Sequence, residues 1–268
     1  MEYFYSIPFV KKPLPKNPFG IKTRSNQGNY IYLHKEAIKK VNPKVENFEE
    51  RMGFSIDKKW FSGLSLQTQT CIKKSELNFN HGRLLYSILS RYIKDNINSN
   101  IEDLLILETG TARGFSSLCM AKALIDNMVN GKIITLDCIG HNEKIYWNSI
   151  SDFSGKKTRN ELLSQWEKEL SKIIFIQGWT IETLKNLGLK RINFAFLDAQ
   201  HTKKAVMSEF EFVNKHQSKG DLIFFDDVTP MLFDGVCDAV KEIESNYPYE
   251  IEKLDYDKKR GYALAKKI

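Results

Sequence analysis

The stretch Leu104-Leu105-Ile106-Leu107-Glu108-Thr109-Gly110-Thr111-Ala112-Arg113-Gly114-Phe115-Ser116 decides the fold. An apolar run ends in an acid, passes through a turn with two glycines and opens a helix with Ser116. That order describes a buried parallel strand that delivers a nucleotide-like ligand to a backbone turn. The middle of the turn narrows the ligand. A dinucleotide-binding turn carries glycine there so that the main chain can approach a pyrophosphate, and this chain has Ala112. The turn therefore suits an adenosine ligand without a diphosphate, which disfavours a nicotinamide enzyme. Gly110 and Gly114, flanking Thr111, allow the tight turn and close helix–strand packing, and Ser116 is placed to cap the helix.

Working outward, the chain alternates strand and helix, the sign of a parallel sheet covered on both faces. Candidate strands are Leu104–Leu107, Ile133–Asp137, Ile173–Gln177, Phe194–Asp198 and Leu222–Asp226. Helices are expected at Phe115–Asp126, at Lys203–Lys215 with Val206, Phe210 and Val213 on one face, and from about Phe233 to Ser245. The tail then alternates residue by residue from Tyr249 to Leu254 and returns with Tyr262-Ala263-Leu264 after Arg260-Gly261, an antiparallel pair closing the sheet. The expected class is α/β, doubly wound, mostly parallel with an antiparallel C-terminal hairpin.

Ahead of this domain, residues 1–79 read as an N-terminal arm and cap, or as a subunit contact that would make a homo-oligomer. Four of the seven prolines fall in the first 18 residues, among Tyr3, Phe4, Tyr5, Phe9 and Phe19. Trp60-Phe61-Ser62-Gly63 marks a turn, and Asn80 is the expected N-cap of a helix carrying Leu84, Leu85, Ile88, Leu89, Tyr92 and Ile93. The second domain is residues 80–268. It holds a long insertion at about 139–172, in which Thr158 and Glu161 form a capping-box pair. Its position beyond a strand end suggests a lid or substrate loop, with Tyr146, Trp147 and Trp166 available to stack on an acceptor and Lys156, Lys157 and Arg159 to meet a phosphate.

The bulk numbers set limits. The 268 residues carry 40 Lys+Arg against 33 Asp+Glu, a net charge of +7, read mainly as solubility. The apolar runs are strand-length, so no membrane span is expected, and the N-terminus lacks a signal-like pattern. Cys71, Cys119, Cys138 and Cys237 are scattered without a Cys-x-x-Cys pair, as for free thiols in a reducing cytoplasm.

The strands tend to end in acids: Glu108, Asp137, Asp198 and the pair Asp226-Asp227. In a parallel sheet these ends share one edge, where open α/β folds bind ligands. Like charges packed there call for cations, and the sulfonium of S-adenosylmethionine and a divalent metal both qualify. Glu108 is placed either to bind the amino-acid part of such a cofactor or to fix the loop. Asp137 suits ribose hydroxyls. Gln177-Gly178-Trp179 ends the third strand where adenine would lie, with Trp179 stacking on the base or packing.

The ordered set Glu108-x-Gly110-x-x-x-Gly114-x-Ser116, Asp137, Gln177-Gly178, Phe196-Leu197-Asp198-Ala199-Gln200-His201 and Gly220-Asp221-Leu222-Ile223-Phe224-Phe225-Asp226-Asp227 resembles class I S-adenosylmethionine-dependent methyltransferases. More narrowly it is similar to bacterial metal-dependent small-molecule and sugar O-methyltransferases of the macrocin and aminocoumarin type. The resemblance runs from about Asn80 to the C-terminus. It implies a Rossmann-like sheet of seven strands with a reversed C-terminal hairpin. It also implies a divalent metal, Mg²⁺ by type, at Asp198, Asp226 and Asp227, and a catalytic role for Asp198 and His201. His201 stands where catechol-type relatives carry a lysine base, so it reads as a general base or a residue of the metal shell. One departure is Ala199, where the family often has glycine; the same turn requires a negative φ there.

The acceptor implied is a hydroxyl of a sugar or small glycosylated metabolite. The alternative is RNA or phenolic methylation without metal, with His201 as base. Base-directed nucleic-acid methylation usually needs an Asn/Asp-Pro-Pro-aromatic turn after the fourth strand, and Asp198-Ala199-Gln200-His201 is not one.

Overall fold

The computed structural model describes residues 14–96, 103–257 and 260–268. The aromatic and proline-rich residues of the expected arm before Leu14 lie outside the described residues. Five parallel strands form the sheet's body: β1 (Leu104–Thr109), β2 (Gly131–Asp137), β3 (Ile173–Gln177), β4 (Phe194–Leu197) and β5 (Leu222–Phe225). The hairpin β6 (Tyr249–Asp257) and β7 (Arg260–Lys267) completes seven strands in the order β3-β2-β1-β4-β5-β7-β6, with β7 antiparallel to β5. Sequence and structure agree on this architecture. The order reverses between β1 and β4, so a crevice opens there at the carboxyl ends. The register aligns those ends: Thr109 pairs with both Leu136 and Leu197, and Leu197 with Phe225.

Side-chain alternation divides the core in two. Ile106, Phe194, Phe196 and Phe224 face one layer, and Leu107, Ala195, Leu197 and Phe225 face the other. The second layer is covered by α8 (Thr180–Leu184), α9 (Lys203–His216) and α10 (Asp234–Asn246). The first is covered by α4 (Asn80–Asn96) and α5 (Phe115–Asp126). Three further helices extend that same layer: α1 (Gln27–Ile38), α2 (Pro43–Met52) and α3 (Lys58–Thr68). Val45, Phe48, Phe61 and Leu64 join the core of α4 and α5 directly.

Two local expectations are corrected. Trp60-Phe61-Ser62-Gly63 is not a turn but the body of α3, started by Asp57, whose carboxylate accepts the Trp60 N–H at 2.7 Å. Burial of Phe61 and Leu64 outweighs the poor helix propensity of Gly63. Asn80 is the first residue of α4 and not its cap; its N–H donates to the Asn78 carboxamide at 2.7 Å.

Between β2 and β3 the chain makes 3₁₀ turns at Ile150–Ser154 and Ser164–Trp166 and two short helices, α6 (Arg159–Leu163) and α7 (Glu167–Leu170). Both halves of the Thr158–Glu161 capping box form. Trp147 and Trp166 are core residues, which removes them from acceptor stacking. The Trp147 indole donates to the Lys157 carbonyl at 2.8 Å. Arg159 is likewise buried and does not face solvent phosphate. The four cysteines are free thiols. Among the described residues no helix is long and apolar enough to cross a membrane.

Candidate functional site

The turn after β1 is built around two positions that tolerate no side chain. Gly110 has φ +93°, and a Cβ there would sit 2.2 Å from the Asp198 carbonyl oxygen, because β1 and β4 part at this point. Gly114 has φ +85°, and its Cβ would meet Leu163 of α6 at 2.8 Å. Between them Ala112 is held at φ 46°, a left-handed conformation that costs a side-chain-bearing residue about 1 kcal/mol. It is clamped from both sides. Its N–H donates to Asp137 Oδ2 at 2.5 Å, and its carbonyl accepts from Arg159 Nε at 3.0 Å.

Glu108 is fully buried and accepts from the hydroxyls of Ser116 and Ser117, and from Thr135 at 2.6 Å. These bonds tie the end of β1 to the start of α5 and to β2 through side-chain hydroxyls. Burial raises its pKa while the three hydroxyl bonds oppose the shift. Ser116 is thus a donor to Glu108 and not a cap; Gly114 occupies the N-cap position. Thr111 shares a 2.6 Å hydroxyl bond with Thr135. Asp137 accepts from Ala112 and, at 2.8 Å, from the Ile139 N–H. Gly178 donates its N–H to the Asp137 carbonyl at 2.8 Å, and Trp179 precedes α8 at the N-cap position. Gln177 is exposed at the end of β3.

At the ends of β4 and β5 the acids separate into two sets. Asp198, His201 and Asp227 offer ligand atoms that all lie within 4.8 Å of one another. Asp226, the third acid of the expected trio, is not part of this cluster, and its carboxylate accepts the Asp227 N–H at 2.7 Å. That bond accompanies φ 56° at Asp227, a left-handed turn of the chain directly after β5. Ala199 is not among the residues of positive φ, as its turn requires.

His201 Nε2 lies 3.9 Å from Asp198 and 3.0 Å from Asp227. The Asp198 and Asp227 carboxylates together stabilise the imidazolium and lift its pKa to about 10. Burial raises the carboxyls of Asp198 and Asp226. Burial acts the same way on Asp227, but its bond to His201 and the charge of Arg260 outweigh that and hold it low.

Arg260, at the start of β7, ion-pairs with the outer oxygen of Asp227. In the sequence it is marked only by its place in the Arg260-Gly261 hairpin turn. His81, which no sequence motif marks, is buried from α4 against Phe115 and Phe196, and burial lowers its pKa to about 3. Behind Asp198, Glu209 of α9 is buried; its Oε2 accepts the Thr109 hydroxyl at 2.7 Å and its Oε1 has no hydrogen-bond partner among the described residues.

Residues 107–228, from β1 through the acid pair, match a family described as a methyltransferase domain. The matched region takes in the turn and the acid cluster, and the match supports an enzyme of methyl transfer. No curated protein matches the chain. Among solved structures it is similar to an O-methyltransferase from Bacillus cereus in complex with SAH, at 14% identity and TM-score 0.53, covering 90% of this chain and 97% of that one. The O-methyltransferase TomG from Streptomyces achromogenes, in complex with SAM, aligns at 16% identity and TM-score 0.53 over 80% and 91%. The O-methyltransferase NovP aligns at 15% identity and TM-score 0.51 over 81% and 98%. At these identities the likeness is one of fold.

Proposed function

We propose that this methyltransferase domain moves the methyl group of S-adenosylmethionine to a hydroxyl oxygen of a small-molecule acceptor. The observation that carries the reading is the compact cluster of Asp198, His201 and Asp227, one strand from the clamped turn at Gly110–Gly114. In the transfer the methyl–sulfur bond breaks with its electrons staying on sulfur, the oxygen–carbon bond forms, and the hydroxyl proton leaves to a base.

The turn and the strand ends suit the cofactor. Asp137 spends one lone pair of each carboxylate oxygen on a backbone N–H, leaving others for ribose hydroxyls. Gln177, Gly178 and Trp179 stand next along the same edge, for the adenine. Glu108 supports this floor through the hydroxyls of Ser116, Ser117 and Thr135.

The donor set also suits a divalent cation, Mg²⁺ in this reading. Asp198 and Asp227 supply hard oxygens, and bound there the ion would lower the pKa of the acceptor hydroxyl and orient it. His201 holds its proton between the same two carboxylates and becomes a base when that proton is released. Of the residues expected to meet a sugar acceptor, Trp147, Trp166 and Arg159 are buried, whereas Tyr146, Lys156 and Lys157 keep access to solvent.

The test is label transfer from S-adenosylmethionine to a panel of hydroxyl acceptors, with and without EDTA. Asp227→Asn is expected to lower turnover by about 100-fold or more, as for a group acting on the reacting proton. Its affinity for S-adenosylhomocysteine should stay unchanged by calorimetry. Full activity in both Asp198→Asn and Asp227→Asn would overturn the assignment.

A further inference from the structure

A pocket of about 740 Å³ lies beside the acid cluster, within the usual range for a small-molecule site. Its walls come from the end of α1 and the link to α2, from the segment Lys74–Asn80, and from Leu232, Phe233 and Arg260. Two of these residues connect it to the chemistry. The Phe233 ring lies 4.6 Å from the His201 ring, and Arg260 pairs with Asp227. The loop carrying Leu232 and Phe233 contains Met231 at φ 69°, a second strained residue after Asp227.

The lining states what it can hold. Ile38, Val41 and Leu232 are 38%, 69% and 57% exposed, an uncommon gathering of uncovered aliphatic side chains at one opening. Most polar side chains of the lining are already engaged. Asn42 caps α2, Asn78 accepts from the start of α4, Arg83 is bound to Glu49 at 2.9 Å, and Lys40 to Glu76 at 3.0 Å. A sugar buried here would leave hydroxyls without partners, which is costly. Lys74 is different: it lines the pocket, is exposed and makes no ion pair among the described residues. The lining holds the cations Lys40, Lys74, Arg83 and Arg260 against the single carboxylate Glu76.

We propose that this pocket receives the body of the methyl acceptor, and that the acceptor is a hydroxyaryl acid. Its ring system lies against Val41, Leu232 and Phe233, its carboxylate meets Lys74, and its hydroxyl points toward His201. The proposal rests on the O-methyl-transfer reading of the neighbouring cluster and adds the acceptor class to it.

The probe is hydroxynaphthoate, whose own fluorescence reports binding, titrated into the full chain with and without S-adenosylhomocysteine. The comparisons are the matched neutral hydroxynaphthalene methanol, methyl glucoside and UDP-glucose. The acid is expected to bind about tenfold more tightly than its neutral match, a preference that Lys74→Ala removes while leaving the neutral compound unaffected. Val41→Glu should weaken both aromatic probes about tenfold or more by placing a charge in the apolar wall. Absence of hydroxynaphthoate binding, its displacement by methyl glucoside or UDP-glucose, or a preference that survives Lys74→Ala would each overturn the proposal. Failure of the cofactor reading shows separately, as loss of S-adenosylhomocysteine binding by calorimetry while the naphthoate titration still reports the pocket.

Discussion

Glu209 shows how a single side chain behind the site links protonation to stability. Burial pushes its pKa to about 8; the Thr109 hydroxyl and the charge of His201 oppose the shift without cancelling it. The native state therefore keeps a proton that the unfolded chain releases near pH 4.5, the ordinary glutamate value. From there to about pH 8 stability falls by about 1.4 kcal/mol per pH unit on this account, and the loss is constant above. Glu209→Gln has no such titration. By the same linkage the variant should melt several degrees above the parent at about pH 9, with the gap closing toward pH 4.5. Melting curves of the two proteins across that range decide it; a constant difference would show that the carboxyl does not titrate in the window.

Among the elements, the insertion between β2 and β3 acts by buttressing. Arg159 is almost wholly buried, donates to the carbonyls of Ala112 and Ile139 at 3.0 and 3.3 Å, and lies 4.0 Å from Asp137. A guanidinium is retained in such a place only where carbonyls and a carboxylate meet it. Arg159→Met keeps the bulk and removes those bonds, leaving the Ala112 and Ile139 carbonyls without that donor and Asp137 without its neighbouring cation. We expect a loss of about 2–4 kcal/mol in stability and roughly tenfold weaker binding of S-adenosylhomocysteine, as the Ala112 turn loses its clamp. Calorimetry showing unchanged affinity would separate the insertion from the turn.

The same contrast marks what was legible in the sequence. The bounds of β3 and α5 follow from apolar runs closed by polar residues, because periodicity is local information. The placement of Asp198 and His201 was legible for the same reason, as they follow one strand within four residues. Arg260 was not. It reaches Asp227, thirty-three residues away in the chain, only because β7 runs antiparallel beside β5, with Phe225 opposite Ala263. The turn at Asp227 depends on one left-handed φ, which no residue type announces outside glycine. In α1 and α3 the buried faces are set by packing of helix on helix, so their apolar pattern is weak when read alone.

At the scale of the whole molecule, the question is whether the N-terminal helices are an attachment or part of one body. Val45 and Phe48 of α2 and Phe61 and Leu64 of α3 share a continuous core with α4, α5 and the sheet residues Ile106, Phe196 and Phe224. Tyr30 of α1 donates to the Asn148 side chain at 3.1 Å, and the same carboxamide exchanges hydrogen bonds with the Ile72 backbone at 3.0 and 3.1 Å. One wall of the pocket beside Asp227 therefore unfolds only with the core that positions the acids. Leu64 has no exposed surface, so Leu64→Ala should cost about 3–4 kcal/mol through lost burial and the cavity left behind. That cost is expected in a single urea transition, with far-ultraviolet circular dichroism and the fluorescence of Trp60, Trp147 and Trp166 moving together. An early transition seen by Trp60 alone, with Trp147 and Trp166 unmoved, would mean that the helices before α4 fold as a separate unit and that the acceptor wall can open without disturbing the methyltransferase domain.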